Sequence, residues 1–224
     1  MNLRPFVVVP VVATMLVSTV QPTFASQARA TETVQAATQI FSNEVSGIPR
    51  SVLQNALGIA IIPRVVKAGF ILGGTRGSGV LAVRNPKTGW SDPAFVALTG
   101  GSVGFQFGAQ SSDVIIVFNT RNAVDRALAR DFSIGGNVSA TAGPSGATPV
   151  TNSSTIPDVY TYVRNREGLF AGVSLQGTKL GIENNRNADF YQKPNITAQQ
   201  IFDNPPPAPA AAAGLRKVLS KYAQ

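Results

Sequence analysis

The sequence predicts an α+β domain with a curved, mainly antiparallel, glycine-rich sheet, or a barrel-like β core, flanked by helices. The first observation is the stretch Gly58–Val83, in which apolar runs alternate with closely spaced glycines. The second is Gly100–Gly108, where large apolar side chains alternate with small or polar ones, the period of a half-buried strand. The third is the helical spacing of apolar residues in Thr31–Ser46 and from Thr120 to Arg130.

The amino-terminal segment, residues 1–30, has the layout of a secretory signal peptide. Arg4 precedes a mostly apolar run, Phe6–Val20, and small residues follow it, which predicts cleavage after Ala25 or after Ala30. The run is shorter than the about 20 residues that span a bilayer. Pro10 also interrupts it, which disfavours the alternative of an uncleaved anchor. We therefore expect an exported protein, periplasmic or secreted, that can associate with a membrane surface.

Two helices are predicted before the sheet. Thr31–Ser46 ends at Gly47, and Ile48–Pro49 begins a second helix, since proline loses no hydrogen bond at the first helical position. The first helix could instead lie on a membrane, but its polar face carries few cations, which favours packing against the core. Its apolar stripe consists of Val34, Ala37, Phe41 and Val45.

Proline and glycine divide the stretch that follows. Pro63 is expected to end the apolar run Ile59–Ile62, because proline cannot donate to a strand ladder. The later glycines indicate bends or close backbone approach. The prediction is two short, curved strands with a cationic loop at their start, around Arg64 and Lys67.

Gly73–Gly79 raises the alternative of a phosphate-binding loop. It lacks the Gly-Lys-Ser/Thr ending of such loops, and no strong helix follows it. Tight strands with small residues are the favoured interpretation.

The remaining segments alternate turns, strands and helices. Asn85–Gly89 is a turn by composition, and Asp113–Asn119 is typical of a central strand. Thr120 caps the helix that ends near Arg130, and Gly135–Thr155 is either a loop or small-residue strands. The later elements are the hairpin strands Tyr160–Arg164 and Leu169–Gln176, a strand Lys179–Glu183, a helix Ala198–Asp203 capped by Thr197, a stiff linker Pro205–Pro209, and a short basic helix Gly214–Tyr222. We expect the domain to span residues 31–203, with residues 204–224 as a tail.

The residue inventory argues against an enzyme. The chain contains no cysteine and no histidine, which excludes disulfides, ordinary zinc sites and Cys-His or Ser-His nucleophiles. The 11 acidic residues are scattered, whereas hydrolysis by paired carboxylates needs two in one cleft. We expect no catalytic residue, no metal and no cofactor. A small-molecule hydrolase is the alternative that a cleft with clustered carboxylates would support.

The charge balance favours anionic partners. The 19 basic residues exceed the 11 acidic ones, for a formal net charge of +8. Phospholipid headgroups, acidic polysaccharides and nucleic acid all suit such a chain. Export makes nucleic acid the least expected of the three.

The candidate binding residues are cations, because bidentate arginine contacts suit an anionic headgroup. Each basic residue near a membrane adds about 1 kcal/mol. Four cations cluster in the first third of the chain, and two flank the predicted late hairpin turn. The candidates are Arg50, Arg64, Lys67, Arg76, Arg164 and Arg166.

Motifs along the chain resemble the SYLF lipid-binding domain over about Val34–Phe202. They are Ile48-Pro49, Gly58-Ile59-Ala60-Ile61-Ile62-Pro63, Lys67-Ala68-Gly69-Phe70, Gly73-Gly74, Gly77-Ser78-Gly79-Val80-Leu81, Trp90–Phe95, Gly100–Gly104, Ala142-Gly143-Pro144, Tyr160-Thr161-Tyr162 and Gly168–Leu175. The resemblance implies a non-catalytic domain that binds phospholipids, phosphoinositides in eukaryotic members, some of which also bind actin. The bacterial members that this chain resembles are exported.

Two departures from the family pattern limit what the resemblance implies. Gln176 stands where the family often carries an acid, and Ala147 stands where a basic residue is common. Eukaryotic members also use a basic amphipathic amino-terminal segment, whereas Thr31–Ser46 is hardly basic. A general phospholipid preference therefore carries over to this chain, but phosphoinositide specificity does not.

We predict an exported, non-catalytic protein that binds anionic phospholipid or a membrane surface through cations around Arg64, Lys67 and Arg76. The alternative is a structural or envelope-interaction protein whose proline-rich tail and basic helix dock a protein partner or a cell-wall polymer. Deleting Asn204–Gln224 is expected to separate the two hypotheses, since only docking needs the tail.

Overall fold

A computed structural model describes residues 24–69, 72–103, 108–143, 156–165 and 175–223. The helices are α1 Phe24–Glu44, α2 Arg50–Gln54, α3 Arg121–Leu128, α4 Asn184–Tyr191, α5 Ala198–Asp203 and α6 Ala210–Tyr222. The strands are β1 Gly58–Gly69, β2 Leu72–Asn85, β3 Gly89–Trp90, β4 Ala94–Val103, β5 Gly108–Phe118, β6 Phe132–Ser133, β7 Ala140–Ala142, β8 Val159–Asn165 and β9 Thr178–Ile182. A 3-10 turn, Val45–Gly47, lies between α1 and α2.

The strands form one mixed, mainly antiparallel sheet that curls into a half-barrel. Its order is β6-β9-β4-β2-β1-β5-β8-β7, with β3 paired to β2. Among the described strands, only β7 and β8 pair in parallel. The rings of Phe132 in β6 and Phe118 in β5 lie 5.4 Å apart although other strands separate them in the sheet order. The α+β prediction of a curved sheet with flanking helices is confirmed.

Glycines in β2 permit this curl. A Cβ atom on Gly79 would lie only 2.2 Å from the Ile61 carbonyl oxygen. A Cβ atom on Gly77 would lie 2.7 Å from the Val65 side chain. The β1 backbone thus lies against the part of β2 that lacks side chains, as close backbone approach at the glycines predicts.

Pro63 does not end a strand, contrary to the sequence-based expectation. β1 runs through it, and the register of β1 shifts at this point against both β2 and β5. Arg64 adopts a φ of 50°, in the left-handed region. Such a bulge leaves residues out of the ladder, so the missing N–H of proline costs no ladder hydrogen bond there. The expected cationic loop is therefore part of one continuous strand.

The two faces of the sheet are covered differently. The concave face encloses the apolar core, and α3 closes one end of it, where Val124 approaches Gly58. The convex face packs against α1 and α4 near the middle of the strands. The concave core includes Ile62, Leu81, Leu98, Ile116, Phe118, Phe132 and Leu180, all of which are buried.

The predicted apolar stripe of the first helix is buried against the sheet, which confirms core packing. The helix begins at Phe24, earlier than the predicted Thr31. In its first turns the Gln27 side chain donates to the Phe190 carbonyl oxygen at 3.1 Å, and Ala30 is buried. None of the helices among the described residues is both long enough and apolar enough to cross a membrane. Residues 1–23, which carry most of the expected signal peptide, lie outside the described residues.

The basic carboxy-terminal helix starts at Ala210, earlier than the predicted Gly214, and packs onto the domain. Its Leu215 and Leu219 are buried, and α6 lies against α1. The Trp90 indole donates to the Ala223 carbonyl oxygen at 3.1 Å. The carboxy-terminal segment is therefore part of the packed structure.

Several other predicted elements are confirmed. The predicted strand Lys179–Glu183 is observed as β9, shifted by one residue toward the amino terminus. Within Gly135–Thr155, β7 is a small-residue strand. The Thr120 hydroxyl accepts from the Ala123 N–H at 3.2 Å, and Thr197 forms a capping box with Gln200.

Two strand predictions fall partly outside the described residues. Of the predicted strand Gly100–Gly108, the first four residues belong to β4 and Gly108 begins β5, and residues 104–107 between them lie outside the described residues. Most of the second hairpin strand, Leu169–Gln176, falls outside the described residues, and so does Arg166. β8 pairs with β5 and β7.

Candidate functional site

The five candidate cations that the structure describes do not lie on one surface, and the sixth, Arg166, lies outside the described residues. Arg76 projects from the convex face of β2, because it pairs with Val66 of β1, whose side chain is 44% exposed. Lys67 pairs with Thr75 and therefore lies on the concave side, since neighbouring strand residues point to opposite faces. Arg64 is exposed at the bulge, where its backbone N–H donates to the Asp113 carboxylate at 2.9 Å. Arg76 is thus an exposed candidate on the convex face of the sheet, where Lys67 does not lie.

Arg76 belongs to a row of exposed side chains that crosses four strands. The register pairs Val66 with Arg76, Arg76 with Thr99, and Thr99 with Lys179. Directly paired residues share a face, so these side chains lie side by side on the convex surface. All four are exposed. We call these residues, Val66, Arg76, Thr99 and Lys179, the open face.

The helices that the structure describes leave this part of the sheet uncovered. Arg186 of α4 marks the border, where it donates to the hydroxyls of Ser78 at 2.5 Å and Thr33 at 2.7 Å. The same guanidinium lies 5.0 Å above the centre of the Phe95 ring. On the side of the row away from Arg186, Gly74 and Gly101 expose only backbone atoms. A Cβ atom added to either glycine would meet nothing within 4 Å. The open face therefore carries two cations and lies between the Arg186 contacts on one side and exposed glycine backbone on the other.

The charges of the open face are uncompensated. Among the described residues, neither Arg76 nor Lys179 takes part in an ion pair or a side-chain hydrogen bond. Glu183, on the same side of the sheet, accepts from Ser78 and lies 3.8 Å from the Arg186 guanidinium. Arg76 and Lys179 are separated by one strand, so their backbones lie about 10 Å apart. An anionic surface can contact both cations at once.

Two further candidates lie elsewhere. Arg164 of β8 forms an ion pair with Glu44 at the end of α1, and that carboxylate is buried. This contact gives Arg164 a structural role in holding α1 on the sheet. Arg50 is exposed at the start of α2, where it lines a cavity together with Lys221 of α6. Neither residue contributes to the open face.

The carboxylates with shifted pKa values serve structural contacts. Burial raises the pKa of Asp92 although Arg216, 3.1 Å away, acts in the opposite direction. Burial also pushes the pKa of Asp158 upward, but hydrogen bonds from Ser139 and Thr120 outweigh it and bring the pKa below its ordinary value. Among the described residues, no group of three or more acidic side chains is placed to hold a metal ion.

Sequence reasoning missed Lys179 and Val66 as members of the site. Lys179 is the only charged residue within β9, and its neighbours in the strand, Thr178 and Leu180, are buried. That alternation was the available signal for an outward-facing cation. What placed it beside Arg76 is the strand order, which local sequence does not reveal.

Comparisons with known proteins identify a family and several relatives. A family model described as Ysc84, Las17-binding protein actin regulator, matches residues 99–222. SH3 domain-containing YSC84-like protein 1 of Homo sapiens is 36% identical over 180 residues, which cover 79% of this chain and 52% of that protein. Its counterpart in Xenopus laevis is 34% identical over 184 residues, covering 79% and 53%. Protein YSC84 of Saccharomyces cerevisiae is 36% identical over 195 residues, covering 81% and 40%.

The chain thus spans about half the length of the curated relatives that it matches. The family match includes the second half of β4 together with β9 and α6, so it takes in Thr99 and Lys179 of the open face and the carboxy-terminal helix. On the extent of the family match and the identity to these relatives, the chain belongs to the Ysc84 family of SYLF domains.

Proposed function

We propose that this domain binds anionic phospholipid membranes through the open face, as a non-catalytic, exported protein. The observation that carries the proposal is a pair of cations, Arg76 and Lys179, beside the exposed Val66. Among the described residues, neither cation is compensated by an acid and no helix covers this surface of the sheet. Membership of the Ysc84 family supports a binding role for the domain. The layout of residues 1–30 supports export.

The expected strength of binding follows from the chemistry of the open face. Each cation near an anionic bilayer contributes about 1 kcal/mol, so Arg76 and Lys179 together supply about 2 kcal/mol. Arginine can bind a phosphate through two parallel hydrogen bonds, whereas lysine acts as a point charge. The exposed part of Val66 adds a small apolar contribution. These terms predict a reversible peripheral association that weakens as salt screens the charges.

The experiment is co-sedimentation with vesicles of phosphatidylcholine alone and of an equimolar mixture with phosphatidylglycerol. We expect binding to the anionic vesicles only, and its loss at high salt. The variant Arg76→Gln/Lys179→Gln should reduce partitioning about 30-fold, the equivalent of the lost 2 kcal/mol.

A matched control removes two cations elsewhere. Lys87 lies in the turn between β2 and β3, and Lys217 is exposed on α6. Lys87→Gln/Lys217→Gln changes the net charge by the same amount and should retain binding. Equal losses in both double variants would show that only the overall charge matters and would overturn the assignment to the open face.

Docking of a protein partner or a cell-wall polymer through the tail is the second candidate function. The exposed Pro205 and Pro207 favour it, because proline-rich segments are common recognition elements. Deleting residues 204–224 would remove α6, which packs onto α1, and would therefore disturb the fold as well as the tail. The deletion thus does not separate membrane binding from docking through the tail. The sharper test is Pro205→Ala/Pro207→Ala, which should leave vesicle binding intact and weaken partner capture only if the tail docks one.

A further inference from the structure

We propose that the exported chain is processed by cleavage of the peptide bond between Ala25 and Ser26, so that the mature protein begins at Ser26. This processing site rests on the proposed function, of which it takes export as given. The sequence alone allows cleavage after Ala25 or after Ala30, because small residues precede both bonds. The fold distinguishes the two positions, because α1 begins within this segment, at Phe24.

Residues 26–30, which lie between the two bonds, are part of the packed fold. The Gln27 side chain donates to the Phe190 carbonyl oxygen of α4 at 3.1 Å. Ala30 is 1% exposed and lies one turn before the buried Val34, so it continues the apolar stripe of α1 into the core. Cleavage after Ala30 would remove both contacts and would begin the mature chain inside the helix, at Thr31. Cleavage after Ala25 keeps them.

The residues on the amino-terminal side of the proposed bond do not contribute to the core. The Phe24 side chain is 90% exposed, and Ala25 is exposed as well. A phenylalanine that stays in water contributes none of the free energy that its burial would supply. Ser26 is half-buried, so burial among the described residues begins directly after the proposed bond. Removal of residues 1–25 therefore costs the fold no buried side chain of the described part of the chain.

The bond after Ala25 also meets the chemical requirement of a signal peptidase. Such a protease needs small side chains at the first and third positions before the bond, and Ala25 and Thr23 occupy them. In the hydrolysis, the hydroxyl of a water molecule is added to the Ala25 carbonyl carbon, the peptide bond breaks, and the Ser26 nitrogen takes a proton. The leader then ends in a carboxylate and the mature chain begins with an amino group. The bond lies in the first turn of α1, where helices fray, so the new terminus is tolerated.

The test is expression of the full chain in a bacterium that has a periplasm, followed by intact-mass spectrometry of the protein in each cell fraction and in the medium. We expect the exported protein to have the mass of residues 26–224. Exported protein that begins at Thr31 or at any residue other than Ser26, or that stays uncut in the membrane, would overturn the cleavage site. Uncut protein confined to the cytoplasm would instead overturn export, so the failure of the proposed function is distinguishable from the failure of the site.

Two matched variants separate the cleavage positions without touching the core, since Ala25 and Ala28 are both exposed. Ala25→Tyr places a large side chain directly before the proposed bond, so we expect loss of the species that begins at Ser26. Ala28→Tyr places the same side chain at the third position before the bond that follows Ala30, and it should be processed like the unaltered chain. If Ala28→Tyr blocks processing and Ala25→Tyr does not, cleavage follows Ala30 and the proposal is wrong.

Discussion

A single added methyl group at Gly79 tests whether the close approach of β1 and β2 shapes the sheet. The Cβ of Gly79→Ala would meet the Ile61 carbonyl oxygen at 2.2 Å and the Ile62 Cα at 2.6 Å, and both are backbone atoms that cannot rotate away. Overpacking of this kind typically costs about 1–3 kcal/mol. We expect the free energy of unfolding, measured by urea denaturation, to fall by about that amount.

Gly74→Ala is the matched control in the same strand. A Cβ atom there meets nothing within 4 Å, and the residue lies on the convex side. A surface change of this kind usually alters stability by less than about 0.5 kcal/mol. Similar losses of unfolding free energy for Gly79→Ala and Gly74→Ala would mean that β2 tolerates no added side chain at either position. The close approach of β1 would then not be the cause of the destabilisation.

At the residue scale, the sequence pattern indicated close backbone approach at the glycines, which the structure confirms, but it could not assign the candidate cations to faces of the sheet. The structure places Arg76 on the convex face, and its role in binding stays a prediction. Lys67 was grouped with Arg76, yet the register places it on the other face of the sheet. A shift of one residue moves every side chain to the opposite face, and the bulge after Pro63 produces such a change within β1.

At the scale of elements, α6 shows how a short basic segment becomes part of the fold. Leu219 is fully buried, and Leu215 one turn earlier is 1% exposed. Leu219→Ala removes buried methyl groups, so we expect the free energy of unfolding to fall by about 2–5 kcal/mol. Chemical denaturation followed by the fluorescence of Trp90 measures it, because that indole bonds to Ala223 at the end of the helix.

The neighbouring residue provides the control for α6. Ser220 is exposed, and Ser220→Ala should change stability by less than about 0.5 kcal/mol. An effect of Leu219→Ala as small as that of Ser220→Ala would mean that α6 separates from the domain in solution and acts as a tail.

Helices were predictable from the sequence because their signals are local. The Thr120 and Thr197 caps and the apolar stripe of α1 all lie where short-range patterns indicate. The attachment of α6 was not predictable in this way. It depends on Asp92 as the partner of Arg216 and on Trp90 as the donor to Ala223, contacts between residues more than 100 positions apart along the chain.

At the scale of the whole molecule, the curl of the sheet decides where binding surfaces can form. The concave face is filled by the core, and the described helices cover the middle of the convex face. The convex end that they leave open carries two exposed cations, Arg76 and Lys179. The general fold follows from strand and helix patterns, whereas this surface follows from strand order and helix placement. Neither of these is encoded in any short stretch of the chain, which is why only Arg76 of the open face was identified beforehand.

The orientation of the protein on a membrane follows from the same geometry. The chain has no cysteine, so one can be introduced at a chosen position and labelled with an environment-sensitive dye. Thr99→Cys places the dye between Arg76 and Lys179, and we expect a blue shift on phosphatidylglycerol vesicles because the label enters a less polar surface. Lys87→Cys places it beyond the end of β2, about 30 Å along the strand from Arg76, and should show no shift. A larger shift at Lys87→Cys than at Thr99→Cys would mean that the opposite end of the half-barrel faces the membrane.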